Sequence, residues 1–354
     1  PPPGVTGNVT FSYTVQDNGC PSTATSAPAT ITVNVAGPVV WFVNSAAASN
    51  GSGTLSNPFN VLSAADAVDA ANQGIFLYSS ATNYTGSLTL NAGEKLIGQP
   101  TTGTTFDSIF GVSPPTGTIA RPTLGSGTVT MTGTVTLANS TTLRGLAFST
   151  GASTGLTDPA SALTGVDVDQ TSVATTTGTG LALSDIGGTV KLAALTSNGG
   201  TGANLTGSNS GATFDFTGVA ISSGANPGLA ATGGGTIRVT GTTNTIASTT
   251  GTALNVSNTT IGAGGLTFQT ISANGADNGI RLSNTGSTAG LTVTGDGGTC
   301  TNADPSGCSG GVIQNAAGAD DSTATPVGTG IVLNSTAGVS LTRMHVHDHS
   351  NYGI

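Results

Sequence analysis

Charged side chains are scarce in this sequence. Among 354 residues there are 7 Lys and Arg and 16 Asp and Glu, so that charged residues make up 6% of the chain, against about 25% in an ordinary soluble protein. The formal net charge is −9, and no basic stripe is present, which argues against a nucleic-acid-binding protein. No apolar run approaches the ~20 residues that a membrane-spanning helix needs. The sequence therefore predicts neither a nucleic-acid partner nor a membrane span.

Glutamate and aromatic residues are also rare. Glu94 is the single glutamate, the aspartates are mostly scattered singly, and Trp41 is the one tryptophan among 4% aromatic residues. Glycoside hydrolases need carboxylates that converge on the scissile bond, and ligand pockets are commonly lined by apolar and aromatic side chains. The sequence therefore predicts that the chain is not an enzyme and has no cofactor.

Only three cysteines are present, Cys20, Cys300 and Cys308. Cys300 and Cys308 lie in a short segment that contains Pro305 and Gly307, so the segment can close and a local disulfide is predicted. A disulfide implies an oxidising compartment. Zinc binding is the alternative, weakened by the lack of a second cysteine pair nearby. Cys20 is left to pair with a missing part of its domain or to remain a free thiol.

What the chain does contain is a repeat. A Gly-aliphatic-x-aliphatic pattern recurs through the second half at intervals of 22 to 26 residues, with one interval of 51. Its first aliphatic residues are Leu181, Ala203, Leu229, Leu254, Ile280, Ile331 and Ile354. A fixed period in this range is typical of a solenoid. A second alternating run follows each copy, as in Val190–Leu192, and a looser third run completes most copies, as in Val219–Ile221.

Three short strands per repeat predict a parallel β-helix, in which the first aliphatic residues of successive coils form one interior column. The fourth residue after each first aliphatic residue is of a type that tolerates the left-handed backbone of a sharp corner. Where asparagines stack at this corner position in successive coils, a hydrogen-bonded ladder is predicted. These corner residues are Asp185, Gly207, Gly233, Asn258 and Asn284. The interval of 51 residues is interpreted as one coil with two outgrowths, near 299–309 and 317–326.

The residues before the repeats have a different pattern. Residues 1–37 contain two alternating runs, at 9–15 and 29–35, and they resemble the last strands of bacterial immunoglobulin-like or cadherin-like domains. A complete sandwich needs about 100 residues, so this partial segment is either the tail of an earlier domain or a pair of strands that completes something else. Residues 38–100 place a strand at 41–44, a helix at 63–72 and strands at 75–78 and 88–90. This order resembles the N-terminal cap of pectate-lyase-like right-handed parallel β-helix proteins, in which a helix covers the open end of the column.

The predicted fold is therefore all-β: a right-handed parallel β-helix with an N-terminal capping helix, preceded by a partial immunoglobulin-like β-sandwich segment. The predicted domains are 1–37 for the immunoglobulin-like strands, 38–100 for the cap and 101–354 for the coils, which end within a repeat.

The sequence is compatible with two kinds of metal site, and each has an alternative interpretation. His345, His347 and His349, all the histidines of the chain, lie within five residues beside Asp348, and such side chains can bind a transition metal. Their alternative is an ordinary coil with polar outer residues. Asp167 with Asp169, or Asp320 with Asp321, could take part in calcium binding. Their alternative is solvated surface acids.

The pattern and the resemblance together predict an extracellular structural or adhesive solenoid, either a segment of a bacterial cell-surface adhesin or a filament subunit. Its expected partners are copies of itself, joined head to tail by strand addition, or host or biofilm surface glycans. The residues expected to mediate assembly are Phe11, Tyr13, Val15, Ile31 and Val33. The alternative is a polysaccharide-degrading β-helix enzyme: a lyase, a glycosidase or a tailspike-like protein.

Overall fold

The computed structural model describes residues 3–19, 22–301, 304–320 and 326–354. These residues form an all-β parallel solenoid of about nine turns, with α1 (Leu62–Asp66), α2 (Phe106–Phe110) and a 3₁₀ turn at Pro305–Gly307. The strands are β1 (Gly7–Tyr13), β2 (Ala29–Val35), β3 (Val40–Val43), β4 (Gly74–Leu77), β5 (Leu88–Thr89), β6 (Lys95–Gly98), β7 (Thr130–Met131), β8 (Val135–Thr136), β9 (Thr142–Gly151), β10 (Leu156–Thr157), β11 (Leu163–Thr175), β12 (Leu181–Leu183), β13 (Ile186–Asn198), β14 (Ala203–Leu205), β15 (Ala212–Phe216), β16 (Val219–Gly224), β17 (Leu229–Ala231), β18 (Thr236–Val239), β19 (Thr245–Ser248), β20 (Leu254–Ser257), β21 (Thr260–Phe268), β22 (Thr270–Asn274), β23 (Ile280–Gly286), β24 (Leu291–Val293), β25 (Gly311–Gln314), β26 (Ile331–Thr336), β27 (Ser340–Leu341) and β28 (Met344–His347).

One wall of the solenoid is a nine-stranded parallel sheet in the order β26-β23-β20-β17-β14-β12-β10-β8-β5. Its register aligns the first aliphatic residues of successive repeats, which confirms the predicted interior column. The aligned residues are Leu181, Ala203, Leu229, Leu254, Ile280 and Ile331, all of them fully buried. The column also extends back through Leu156, Val135 and Leu88. The solenoid therefore begins well before the residues in which the sequence repeat is visible.

The long interval of the repeat is a single turn. Ile280 pairs directly with Ile331 in parallel register, so the 51 residues between them close one coil and the excess leaves the stack. β24 remains in the stack before the first predicted outgrowth and β25 between the two. The prediction that this interval is one coil is confirmed, while residues 321–325 of the second predicted outgrowth lie outside the described residues.

The other two walls share their strands. β9, β11 and β13 are long enough to bend across both walls, whereas later coils use separate short strands, such as β15 and β16. β21 contains a bulge that shifts the register: Ile261 lies opposite Ile237, and Leu266 lies opposite Val239. The glycines within the strand cause the shift, because Gly264 and Gly265 have φ values of 103° and 71°.

Three of the five predicted corner residues have the left-handed backbone that was expected. Gly207, Asn258 and Asn284 adopt left-handed backbone, and Asn284 Nδ2 donates a 2.9 Å hydrogen bond to Asn258 Oδ1. The asparagine ladder is thereby confirmed for this pair of coils. Asp185 and Gly233 keep negative φ, and in the latter coil the adjacent Gly234 and Gly235 make the turn instead.

The capping helix is shorter than predicted. The sequence predicted a helix over 63–72, but α1 covers only Leu62–Asp66. Leu62 and Ala65 are buried against the main core, whereas Val68 is exposed. The chain leaves the helix after the last buried contact, because further helical turns would have no apolar surface to cover.

A second helix, α2, was not predicted. It begins after Thr105, whose hydroxyl accepts from the amide of Ser108, and it ends at Gly111 with φ 68°. It places two phenylalanines in a small apolar cluster on the outside of the first coils. The cluster contains Phe42, Phe76, Ile97, Phe106 and Phe110.

The N-terminal strands β1 and β2 form an antiparallel two-stranded sheet, with Phe11 opposite Ile31 and Gly7 opposite Val35. In the described part of residues 1–37 these are the two strands present. β1 begins two residues earlier than predicted and ends at Tyr13, while an isolated bridge between Gln16 and Thr25 extends the hairpin.

Candidate functional site

The hairpin has one apolar face and one polar face. Antiparallel register pairs Val9 with Val33 and Phe11 with Ile31, and directly opposed residues point to the same side of a sheet. We call Val9, Phe11, Tyr13, Ile31 and Val33 the apolar hairpin face. Phe11 is 52% exposed, Ile31 40% and Val33 45%. The four residues of the assembly prediction that lie in strands therefore share one exposed surface.

Val15, the fifth residue of that prediction, lies beyond the end of β1. It is 60% exposed, and its backbone is tied to Ser26: the Val15 amide donates to Ser26 Oγ at 2.9 Å and the Ser26 amide donates to the Val15 carbonyl at 2.8 Å. It extends the exposed apolar surface past the strand end.

The opposite side of the hairpin is polar. Asn8 and Asn34 are joined by a 2.8 Å side-chain hydrogen bond, and Thr10 lies opposite Thr32. An isolated two-stranded hairpin is marginally stable in water, and contiguous exposed apolar side chains commonly mark an interaction surface. The apolar hairpin face is therefore a candidate interaction surface.

A second region of interest is the coil formed by β26, β27 and β28, which we call the last coil. These strands pair with β23, β24 and β25, respectively. Part of the other edge of β26 is covered, because the amides of Gly330 and Ile331 donate to the carbonyls of Tyr352 at 2.9 Å and Gly353 at 3.0 Å. Leu333 is 38% exposed, whereas its register partner Leu282 is fully buried.

His345 and His347 lie side by side on the outer face of β28. Val346, between them, points inward and lies opposite the buried Ile313. Their rings stack with centroids 3.9 Å apart and planes inclined by 25°. His347 Nδ1 lies 2.7 Å from Asp348 Oδ2.

His349 points elsewhere. Its Nδ1 accepts a 3.2 Å hydrogen bond from the Ala316 amide, and burial, followed by the nearby His347, lowers its pKa below the ordinary value. Within residues 3–19, 22–301, 304–320 and 326–354, no group of three or more His, Cys, Asp and Glu is placed to hold a metal ion. The structure brings two of the three predicted metal ligands together and separates the third.

Cys300 and Cys308 are joined by a disulfide with Cα atoms 4.4 Å apart. Arg343, at a left-handed corner of the last coil, fastens this outgrowth by donating to the carbonyls of Gly298 at 3.1 Å and Thr294 at 3.2 Å. The outgrowth therefore packs beside the histidine strand. Cys20 lies outside the described residues.

The aspartates considered for calcium have other neighbours. Asp167 accepts from Arg144 in a 3.0 Å salt bridge across adjacent coils. Asp169 accepts the amide of the next residue, Gln170, at 2.9 Å. Asp320 is exposed, and Asp321 lies outside the described residues.

A charge ladder on the outer face was missed by the sequence analysis. Lys191, Asp215 and Arg238 occupy the same outward position in three successive coils, and Arg238 forms a salt bridge with Asp215. The signal was available, since each is the middle residue of a triplet that the repeat had already aligned. A third ion pair, Arg121 with Asp107 at 2.7 Å, borders an open depression of about 450 Å³ beside α2.

A carboxyl pair formed by the buried Glu94 and the half-buried Asp69 was also missed. Glu94 is fully buried, and burial raises its pKa to about 8, with the hydrogen bond and charge of Asp69 adding to the rise. Burial also raises the pKa of Asp69. No signal in the sequence pairs them, because they lie in the cap, outside the visible repeat.

Comparison with protein-family models, with curated proteins and with solved structures finds no match to this chain. None of the helices in the described ranges is long and apolar enough to span a membrane. The function of the chain must therefore be inferred from its own geometry.

Proposed function

We propose that this chain is an extracellular structural and adhesive β-solenoid of the bacterial cell-surface type, whose copies join head to tail by strand addition. The observation that carries the proposal is the apolar hairpin face, which is exposed on a two-stranded sheet that pairs with no other strand among the described residues. The occupant of the hairpin face is the last coil of a second copy.

The side-chain pattern of the hairpin supports this pairing. Coil strands alternate inward apolar and outward polar residues, and β1 repeats this with Val9, Phe11 and Tyr13 against Asn8, Thr10 and Ser12. β1 has 7 residues and β26 has 6, so the lengths match. If β1 paired with the last coil of another copy, its apolar residues would continue the interior column and its polar residues would continue the exterior.

The free energy available from burying the apolar hairpin face indicates a modest affinity between copies. Complete burial of a large apolar side chain contributes about 1.5–3 kcal/mol, but those of the hairpin face are already about half-covered, which leaves roughly 1 kcal/mol each. A handful of them only reaches the lower end of the ~4–15 kcal/mol cost of association. Backbone hydrogen bonds along the strand must add to this, and assembly should depend on concentration.

The exterior of the solenoid supports a structural and extracellular role. Small polar residues occupy outward positions, and Thr189, Thr213, Thr236 and Thr260 stack in register on four successive coils. Such a surface needs few charges. The disulfide of the outgrowth favours an oxidising compartment.

The test is the assembly state of paired variants of one hairpin. Phe11→Asp with Ile31→Asp places two carboxylates on the apolar hairpin face. Thr10→Asp with Thr32→Asp places the same charges on the same strands but on the polar face. Sedimentation velocity over rising concentration should show end-to-end species for the native chain and the polar-face variant, and monomer for the apolar-face variant.

Two results would contradict the proposal. One is a native chain that stays monomeric at the highest concentration, and the other is equal assembly of all three proteins. Binding of the monomer to a surface glycan, unchanged by either pair of substitutions, would indicate an adhesive solenoid that does not polymerise through this hairpin.

A further inference from the structure

Two acidic side chains meet inside the cap, where a solenoid of this composition has few charges of any kind. Asp69 follows α1, the helix that covers Leu62 and Ala65, and Glu94 directly precedes β6 of an early coil. Glu94 has no solvent exposure. A buried ionised carboxylate without a cationic partner is very unfavourable, so the protonation of this pair matters for the fold.

Asn91 joins the two residues. Its backbone amide donates to Glu94 Oε2 at 2.8 Å, and its side-chain amide donates to Asp69 Oδ1 at 3.2 Å. The remaining oxygen of each acid, Glu94 Oε1 and Asp69 Oδ2, is buried with no donor from any other group. Because one asparagine holds the two acids side by side, a proton placed between them would give each of these two oxygens a partner.

We propose that Glu94 and Asp69 share one proton and form a clasp that fastens the capping segment 62–73 to the coil at 91–95. With the proton bound, all four oxygens are satisfied. When it is lost, two carboxylates lie side by side, that of Glu94 without any solvent exposure, and the cap loosens. This inference concerns the stability of the cap and does not depend on the proposed assembly.

Among the described residues, the groups around the pair supply no cation to take the place of the proton. From α1, Asp66 faces the pair and adds to its negative charge. Lys95 is next to Glu94 in sequence, but its ammonium donates to the Ile109 carbonyl at 2.7 Å. From β9, the Thr142 amide donates to the backbone carbonyl of Glu94 and not to its carboxyl.

The chain offers a direct readout, because Glu94 is its single glutamate. Labelling glutamate with ¹³C gives one side-chain carboxyl resonance, which can be followed by NMR as the pH is raised. The expected midpoint in the folded chain is near 8, with a return to the ordinary acidic range in denaturant. A folded-state midpoint in the ordinary range would overturn the proposal.

Variants test whether loss of the proton loosens the capping segment. Amide hydrogen exchange in segment 62–73, corrected for intrinsic rates, should lose protection in the native chain above this midpoint. Glu94→Gln, which stays neutral, should keep protection across the same pH range. The matched control Asp277→Asn, which removes an exposed carboxylate from a distant coil, should behave like the native chain. Equal pH responses of the native chain and Glu94→Gln would contradict the clasp.

A second variant covers the case in which Glu94→Gln does not fold. Asp69→Asn removes the neighbouring charge and the acid–acid hydrogen bond that raise the pKa of Glu94. The NMR midpoint of Glu94 should therefore move down relative to the native chain. An unchanged midpoint would show that the two acids are not coupled and would overturn the shared proton.

Discussion

At the scale of single residues, buried asparagines connect the turns of the solenoid. Asn244 is 1% exposed; its Oδ1 accepts from the Val219 amide at 2.6 Å, and its Nδ2 donates to the carbonyls of Gly241 at 2.6 Å and Thr267 at 2.9 Å. Asn209 and Asn278 play similar parts in other coils. Each satisfies backbone groups that the corners would otherwise leave buried without partners.

Asn244→Ala should therefore destabilise the fold by about 3 kcal/mol, since buried backbone groups are left unsatisfied. The midpoint of urea unfolding measures this. Asn204→Ala is the control, because Asn204 is an exposed outward residue of β14 and its loss should change stability by no more than about 0.5 kcal/mol. Similar losses for the two variants would show that the bridging bonds add nothing.

The Glu94–Asp69 pair predicts how stability depends on pH. The pKa of Glu94 is raised in the folded chain from 4.5 to about 8, so between these values the unfolded chain has released a proton that the folded chain retains. Stability should fall as pH rises through this window and level off above it. Thermal unfolding at several pH values, with Glu94→Gln for comparison, measures the effect. A parallel decline in the variant would assign the pH dependence to other groups.

Residue-scale contacts differ in how far the sequence predicts them. The Asp215–Arg238 pair follows from the repeat, because register places equivalent positions on top of each other. The Glu94–Asp69 contact does not, because it depends on how the cap folds back over the first coils. The same holds for His349, which was grouped with His345 by proximity in sequence but bonds to the Ala316 amide of another segment.

At the scale of elements, the interior column was predicted correctly because a strict repeat fixes which residue faces inward. Errors arose where the repeat is interrupted. The glycines of β21 allow a bulge whose position the pattern does not define. α2 is too short for helical periodicity, and its reason for existing, the phenylalanine cluster around Phe76, is tertiary.

The outgrowth closed by Cys300 and Cys308 should behave as a local element, because Ile271 donates to the Gly310 carbonyl directly after it and keeps the coil closed. Replacing both cysteines by serine removes a short-loop constraint of about 2–3 kcal/mol, and this loss should be confined to the outgrowth. Limited proteolysis should then cut near 296–309, while the melting temperature changes by no more than about 2 °C.

The matched control is the native chain treated with a reductant under the same conditions. A cooperative loss of the whole solenoid in the serine variant would contradict the local role of this disulfide.

At the scale of the whole molecule, each turn of the solenoid contacts mainly its neighbours, and neighbouring turns cover each other's apolar side chains. The apolar hairpin face is not covered in this way. The hairpin shares alternation and strand length with the last coil. Under the proposed function, the hairpin of one copy and the last coil of another cover each other.

The most direct measurement is cryo-electron microscopy of the chain at concentrations where sedimentation detects association. We expect rods joined end to end, with β1 of one copy lying in the sheet plane of the last coil of the next and Phe11 within the continued column. Separate rods with solvent-exposed hairpins at the same concentration would contradict this expectation.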